Sequence, residues 1–155
     1  MDTVINVLTY GTFDLFHVGH VRLLERAAKL GDKLYVGLSS DEFNALKGKK
    51  SILPYEQRAE IVASNRNVTG VFPEESWDQK VKDIARLKAD IFVMGGDWAG
   101  KFDELNEHCR VEYLDRTEGV STTEIKQVLT AFESEKMQAF REGLDAIQSI
   151  VKQLS

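Results

Sequence analysis

The chain has almost no cysteine, no long apolar run and no surplus of positive charge, and each shortage removes a class of function. Cys109 is the lone cysteine, so no internal disulfide can form and a cysteine-based metal site lacks a second thiol. It reads instead as a small core residue in or beside a strand. The longest apolar runs, such as Ile91-Phe92-Val93-Met94, are far too short to span a bilayer. The opening Met1-Asp2-Thr3 lacks the basic-then-apolar layout of a signal peptide, so a cytoplasmic location is expected. Formal net charge is −5 and the Lys and Arg residues are interspersed with acids, so neither a nucleic acid nor a membrane surface is an expected partner. No Walker loop, no Gly-x-Gly-x-x-Gly fingerprint and no Gly-x-Ser-x-Gly elbow occurs. The third imidazole, His108, is remote in sequence from His17 and His20, and a protein-held zinc site is not expected.

What is present fits one α/β domain of a 155-residue chain. Val4–Tyr10 is a nearly continuous β-branched and apolar run, suited to a strand buried on both faces of a parallel sheet. Val21–Leu30 has helical apolar spacing, with Gly31 where a C-cap belongs, and Leu34–Leu38 follows as a second strand. Such a βαβ unit crosses over right-handed. Ser39 and Glu42 have capping-box spacing ahead of a short helix, as do Ser76 with Gln79 and Ser121 with Glu124. Pro54 is placed at the first position of a helix running toward Arg66. Further strands are predicted at Val71–Pro73, Ile91–Met94 and Val111–Leu114. The expected fold is a doubly wound, Rossmann-like, five-stranded and mostly parallel sheet with flanking helices, plus a C-terminal amphipathic helix. Residues 1–130 form the expected catalytic domain and 131–155 a helical extension. In the extension Met137, Phe140, Leu144, Ile147, Val151 and Leu154 recur at spacings of 3 and 4, a short heptad seam that points to a homodimer or higher homo-oligomer. Packing of that helix on its own domain is the other reading.

Four clusters lie at or near strand ends. Tyr10–His20 turns a strand into a helix, with His17 and His20 at i, i+3 near the positive end of the helix dipole. A phosphate there meets imidazole and backbone donors together, and Gly19 lets the backbone approach closely. The dipole disfavours imidazolium, so a bound anion is needed to hold these rings charged. Lys47 and Lys49 add ammonium charge on a Gly-containing loop, Arg116 offers a planar fork, and Ser121-Thr122-Thr123 opens a second helix-start anion site. The alternatives are a plain βα turn and a solvated basic turn. With no obvious protein nucleophile, the clusters suit chemistry driven by positioning and charge, such as phosphoryl or nucleotidyl transfer.

His17-Val18-Gly19-His20 matches the His-x-Gly-His signature of the cytidylyltransferase-type nucleotidyltransferases, and Arg116–Thr123 resembles the Arg-Thr-x-Gly-Ile-Ser-Thr-Thr signature of the CTP-using branch. With Tyr10–Asp14, Leu23–Ala27, Asp41–Asn44 and Trp98–Asp103, the chain is similar to the bacterial glycerol-3-phosphate cytidylyltransferase family from about residue 4 to 130. The resemblance implies CTP and a phosphorylated alcohol as partners, CDP-glycerol and pyrophosphate as products, and Mg²⁺ as cofactor with no assigned protein ligand. It implies a role in making a surface polymer such as teichoic acid or a capsule. His17, His20, Lys47 and Arg116 become charge stabilisers at the α-phosphate. Thr12, Phe13, Gly19, Arg66, Gly95, Asp97, Thr117, Val120, Ser121, Thr122 and Thr123 fall on nucleotide-binding positions. Asp14, Lys47, Lys49, Trp77 and Lys80 fall on acceptor positions. Asp14 as a turn residue, Trp77 as core and Arg66 as surface stay open. Gly95-Gly96-Asp97 departs from a more acidic Gly-Asp-Asp pattern, which leaves the acceptor open: another phosphorylated polyol, phosphocholine or phosphoethanolamine. A non-catalytic nucleotide-binding scaffold is the reading from a different class.

Overall fold

The computed structural model describes residues 3–119 and 121–154. They divide into two compact units, Met1–Val120 and Ser121–Ser155.

The first unit is built on five strands: β1 (Asn6–Gly11), β2 (Lys33–Ser39), β3 (Gly70–Glu74), β4 (Ile91–Gly95) and β5 (Arg110–Leu114). Their spatial order is β3-β2-β1-β4-β5, and every neighbouring pair is parallel. Strand periodicity sends alternate residues to two cores. Val7, Val36, Ile91 and Val93 face one cluster with Leu24, Ala27 and Val62, while Leu8, Tyr10, Phe92 and Met94 face the other with Ile84, Phe102 and Leu105. Helices α1 (Val18–Ala28) and α3 (Tyr55–Ala63) therefore cover one face and α4 (Gln79–Leu87) the other, which is the doubly wound arrangement expected. A short α2 (Asp41–Leu46) follows β2. From β1 the chain builds outward through β2 and β3, then crosses to β4 on the other side. The carboxyl ends of β1 and β4 thus flank the switch point where open α/β sheets bind ligands.

Several local expectations are corrected by packing. Gly31 is not a left-handed C-cap, because α1 ends on Lys29 in right-handed geometry. A Cβ at Gly31 would lie 2.7 Å from the Ile5 carbonyl, so the glycine serves close passage beneath β1. Ser40, not Ser39, caps α2 through the Phe43 amide, since Ser39 is drawn into a buried side-chain network. Pro54 is the N-cap of α3 rather than its first helical residue. Ser76 does not cap α4, whose N-cap is Asp78, but Gln79 Oε1 does reach back to the Ser76 amide at 3.1 Å, half of the expected box. Helix α3 stops at Ala63.

The second unit is one helix, α5 (Thr122–Leu154), 33 residues long, in which the Glu124 amide donates to Ser121 Oγ at 3.0 Å. The expected boundary at residue 130 falls inside this helix. Among the described residues no helix is long and apolar enough to cross a membrane.

Candidate active site

The β1–α1 turn bends sharply before the helix begins. Phe13 and Leu15 both adopt positive φ, at 52° and 50°, a region costing a non-glycine residue on the order of 1 kcal/mol or more. Two anchors hold it there. Phe13 is buried in the core below, and the buried carboxylate of Asp14 accepts from the amides of Leu15, Ile52 and Leu53 at 3.1, 2.8 and 3.0 Å. Asp14, expected at the acceptor, is thus a clasp between the turn and the segment after Lys50.

His17 is the N-cap of α1, and the two imidazoles share the capping. His17 Nδ1 accepts from the Gly19 amide at 3.0 Å and His20 Nδ1 accepts from the His17 amide at 3.2 Å. The rings stack at 3.9 Å with 26° between planes, and His20 is further sandwiched by Phe13 and Phe16. Burial and then Arg116 lower the His17 pKa, while burial, and next His17, push His20 down to about 4. Both rings are therefore neutral near pH 7. With Nδ1 accepting, each carries its proton on Nε2. The Gly19 amide, expected to meet a phosphate directly, is engaged by His17, so the imidazoles stand between the helix end and a ligand.

Lys47 is not on a loose loop. Gly48, with φ 71°, closes α2 in a Schellman motif: its amide donates to Ala45 O at 3.0 Å and that of Lys49 to Asn44 O at 2.9 Å. Lys47 is the C-cap, its Nζ donating to Ser39 Oγ at 2.9 Å and lying 4.4 Å from the Phe43 ring centroid. Burial lowers its pKa, opposed by the Glu74 carboxylate. Lys49 stays exposed on the same turn.

The network continues inward. Ser39 Oγ donates to Glu74 Oε1 at 2.9 Å, and Lys80 Nζ donates to Glu74 Oε2 at 2.7 Å, with Lys80 and Glu74 both buried. Lys80 also lies 4.7 Å from the Tyr10 ring centroid and 5.0 Å from that of Trp77. Tyr10 itself donates to Asp83 at 2.6 Å, and burial and that hydrogen bond raise its pKa. Lys80 is thus an internally neutralised cation at the base of a cavity of about 400 Å³ lined by Trp77, Lys80, Trp98, Lys101, Phe102 and Leu105. Trp77, half-exposed, spans Phe43 and Trp98 at 5.3 and 6.4 Å and so bridges this cavity to the Lys47 side.

Sequence reasoning missed Arg58. It is fully buried and donates to the carbonyls of Leu53, Thr12 and Ser39 at 2.9, 2.9 and 2.8 Å and to Asp41 Oδ1 at 2.7 Å. One guanidinium therefore ties the ends of β1 and β2 to α2 and α3. Thr12 is held a second time, its Oγ1 donating to Asn44 Oδ1 at 3.1 Å. No local pattern marks Arg58, because three of its four acceptors come from distant segments of the chain.

At the β4 side, a Cβ on Gly95 would meet nothing within 4 Å, leaving the crevice open there. A Cβ on Gly96 would sit 3.2 Å from Leu114 O, so the missing carboxylate also relieves a tight approach. Asp97 and Arg116 are exposed, with Oδ2 and Nη1 3.8 Å apart across the β4 and β5 ends. The guanidinium is close enough to depress the His17 pKa, which brings the β1 and β5 clusters together. Thr117 is half-buried beside it. Arg66 does not join them: it is exposed, in the turn between α3 and β3, at the amino edge of the sheet. The helix expected to run toward it stops at Ala63, and within one chain this edge is opposite to the histidines. Val120 lies outside the described residues, and Ser121, Thr122 and Thr123 belong to the second unit, at the start of α5. Among the described residues no group of three or more His, Cys, Asp or Glu could hold a metal ion.

The site combines two neutral N–H donors, a lysine and an arginine at one sheet edge with an aromatic cavity nearby, and among the described residues it offers no nucleophile aligned with a base. Residues 8–128 match the cytidylyltransferase-like family. The chain is 58% identical over 121 residues to the glycerol-3-phosphate cytidylyltransferase of Bacillus spizizenii, covering 78% of this chain and 94% of that one. It is 55% identical over 123 residues to the glycerol-3-phosphate cytidylyltransferase of Staphylococcus aureus, covering 79% and 93%. In fold alone it resembles the lipopolysaccharide core biosynthesis protein from Thermoplasma volcanium, with a TM-score of 0.64 at 24% identity, over 75% of this chain and 100% of the other. A sheet with its switch point at the paired histidines, and relatives matched over nearly their whole length, place this chain in the cytidylyltransferase-like family.

Proposed function

We propose that this protein transfers CMP from CTP to glycerol 3-phosphate, giving CDP-glycerol and pyrophosphate. A phosphate oxygen of the acceptor attacks the α-phosphorus in line, and the bond to the bridging oxygen of the β-phosphate breaks as pyrophosphate leaves. The observation that carries the reading is the paired, Nδ1-anchored imidazoles of His17 and His20 at the α1 start. Their Nε2–H groups are fixed donors for the oxyanions of a five-coordinate α-phosphorus, and fixed donors need no reorganisation as charge accumulates. Lys47 and Arg116 supply the positive charge. Thr12 and Phe13, by backbone, and Gly95, Asp97 and Thr117 are proposed as nucleotide contacts. The hydroxyls of Ser121, Thr122 and Thr123 are proposed as triphosphate partners by residue type alone.

Mg²⁺ would be carried by the triphosphate and water, the usual habit of a small hard cation. When bound it would neutralise the leaving pyrophosphate. The carboxylate that this chain could add is Asp97, exposed at the end of β4.

The glycerol-3-phosphate cytidylyltransferase relatives support an anionic polyol phosphate over an aminoalcohol phosphate, and the cavity beside Trp77 carries both carboxylates, Asp78 and Glu104, and ammonium groups, Lys80 and Lys101. A quaternary or primary ammonium would seek the faces of Trp77 and Trp98. Lys80 and Lys101 already lie over those rings, at 5.0 and 5.2 Å. Lys101, absent from the acceptor residues expected from sequence, is the exposed cation best suited to the acceptor phosphate. The product is an activated alcohol donor for a surface polymer, made where CTP is available in the cytoplasm.

Pyrophosphate release measured with CTP and a panel of phosphorylated alcohols tests the proposal. Release should be fastest with glycerol 3-phosphate and slow with phosphocholine or phosphoethanolamine. Preference for an amine acceptor would overturn the acceptor assignment, and activity with ATP but not CTP would overturn the cytidylyl assignment. CTP binding without turnover on any acceptor would favour the scaffold.

A further inference from the structure

The family match ends at residue 128, while α5 continues to Leu154. Beyond the match the helix carries an apolar seam with no buried residue: Met137, Phe140, Leu144, Ile147, Val151 and Leu154 are 44–84% exposed. Their spacing places Met137, Leu144 and Val151 at a positions and Phe140, Ile147 and Leu154 at d positions of a heptad. One heptad earlier the same stations hold Thr130 and Glu133, so the seam begins at Met137.

We propose that this seam is an interface for the same seam of a second copy of the chain, paired antiparallel. Three observations select that occupant and direction. First, in a parallel pair the g and e′ flanks set Lys136 against Arg141 of the other copy, twice by symmetry, with no opposite charge to offset them. An antiparallel pair sets e against e and g against g, so Arg141 meets Gln148 instead. Second, the antiparallel register that joins Met137 to Leu154, Phe140 to Val151 and Leu144 to Ile147 uses every seam residue, and it pairs the largest ring with the smallest side chain. Shifting it by one heptad step in either direction leaves four of the six apolar layers. Third, the same register brings Gly143 opposite Ile150, which is 57% exposed, and a Cβ at Gly143 would meet nothing within 4 Å. A small residue facing a large one at a flank is what close helix packing needs. The pair would bury on the order of 1,000 Å², near the lower limit for specific interfaces.

A lipid surface is the competing occupant and the charge pattern disfavours it. An interfacial helix needs a basic polar face, whereas here Glu133, Glu135, Glu142 and Asp145 outnumber Lys136, Arg141 and Lys152.

Cysteine trapping in the full-length protein tests this. In a Cys109→Ser background, Met137→Cys and Leu154→Cys chains are made separately, and as an equimolar mixture, then oxidised. The antiparallel register predicts a covalent dimer in the mixture at least tenfold above either variant alone, because equal positions lie at opposite ends of the pair. Efficient dimers from each variant alone would mean parallel pairing and overturn the proposal. Absence of covalent dimer in all three would also overturn it, unaffected by any oligomer made through the globular unit. Leu144→Glu with Ile147→Glu should abolish the trapping while leaving pyrophosphate release intact. Tight binding of wild-type protein to phosphatidylglycerol vesicles, lost in that double variant, would reassign the seam to lipid.

Discussion

The two histidines cap α1 with one ring nitrogen each and, in the proposed reaction, offer the other to substrate. Nδ1 of each accepts a backbone amide at the α1 start, and that leaves Nε2–H as the donor suited to substrate. The tasks can be separated. His17→Asn keeps a good N-cap acceptor but withdraws the donor, so we expect kcat to fall on the order of 10²-fold or more with the thermal midpoint little changed. A fall in stability with kcat near normal would make the pair structural. Protonation gives an independent check. The folded His20 pKa, about 4, lies below its ordinary 6.5, so between those values the unfolded chain binds more protons than the folded one. Stability should therefore rise with pH from about 4 to 6.5 and be fully present above that window. Urea midpoints across it measure this, and His20→Asn should flatten the slope. CTP should raise both imidazole pKa values, because a bound anion favours the charged ring. An NMR titration showing no upward shift on CTP addition would remove these residues from the phosphate site.

At the scale of the elements, the site is held by buried charges that tie loops together. Arg58 anchors the ends of β1 and β2 and the starts of α2 and α3 through four acceptors. Arg58→Lys keeps the charge but a single ammonium cannot reach that spread of carbonyls. The loss should be on the order of 2–4 kcal/mol, since the orphaned acceptors stay buried. A urea-unfolding midpoint close to wild type would show that the loops hold without it. Glu74 plays a like role one layer out, with Ser39 and Lys80 on its two oxygens and Lys47 joined through Ser39. Both were hidden in the sequence for the same reason: Thr12, Ser39 and Asp41 lie 17 to 46 residues from Arg58, and Ser39 lies 35 residues from Glu74, so the fold has to bring them together. The Ser39 and Gly31 caps failed because tertiary contacts claimed those residues for other work, and Lys47 ends α2 as its C-cap.

For the whole molecule, the division into Met1–Val120 and Ser121–Ser155 gives a kinetic expectation. If α5 pairs with a second copy, hydrogen exchange over residues 137–154 should slow as protein concentration rises. Protection in β1, β2 and β4 should stay constant, because that core lies within one unit. Concentration-independent exchange over the whole chain would contradict the pairing.

The sequence by itself determined the alternation of strands and helices, the turn that pairs His17 with His20, the exclusion of disulfide and Walker-type chemistry, and the terminal seam. Periodicity, capping residues and glycine spacing are local properties, and local patterns can be read along a chain. Only the tertiary structure decided the state and availability of the charged groups. Burial neutralised the histidines, Glu74 neutralised Lys80, three backbone amides occupied Asp14, and parallel strand order put Arg66 at the opposite edge. Desolvation and ion pairing depend on what the fold brings within a few ångströms, and sequence spacing carries no measure of that distance.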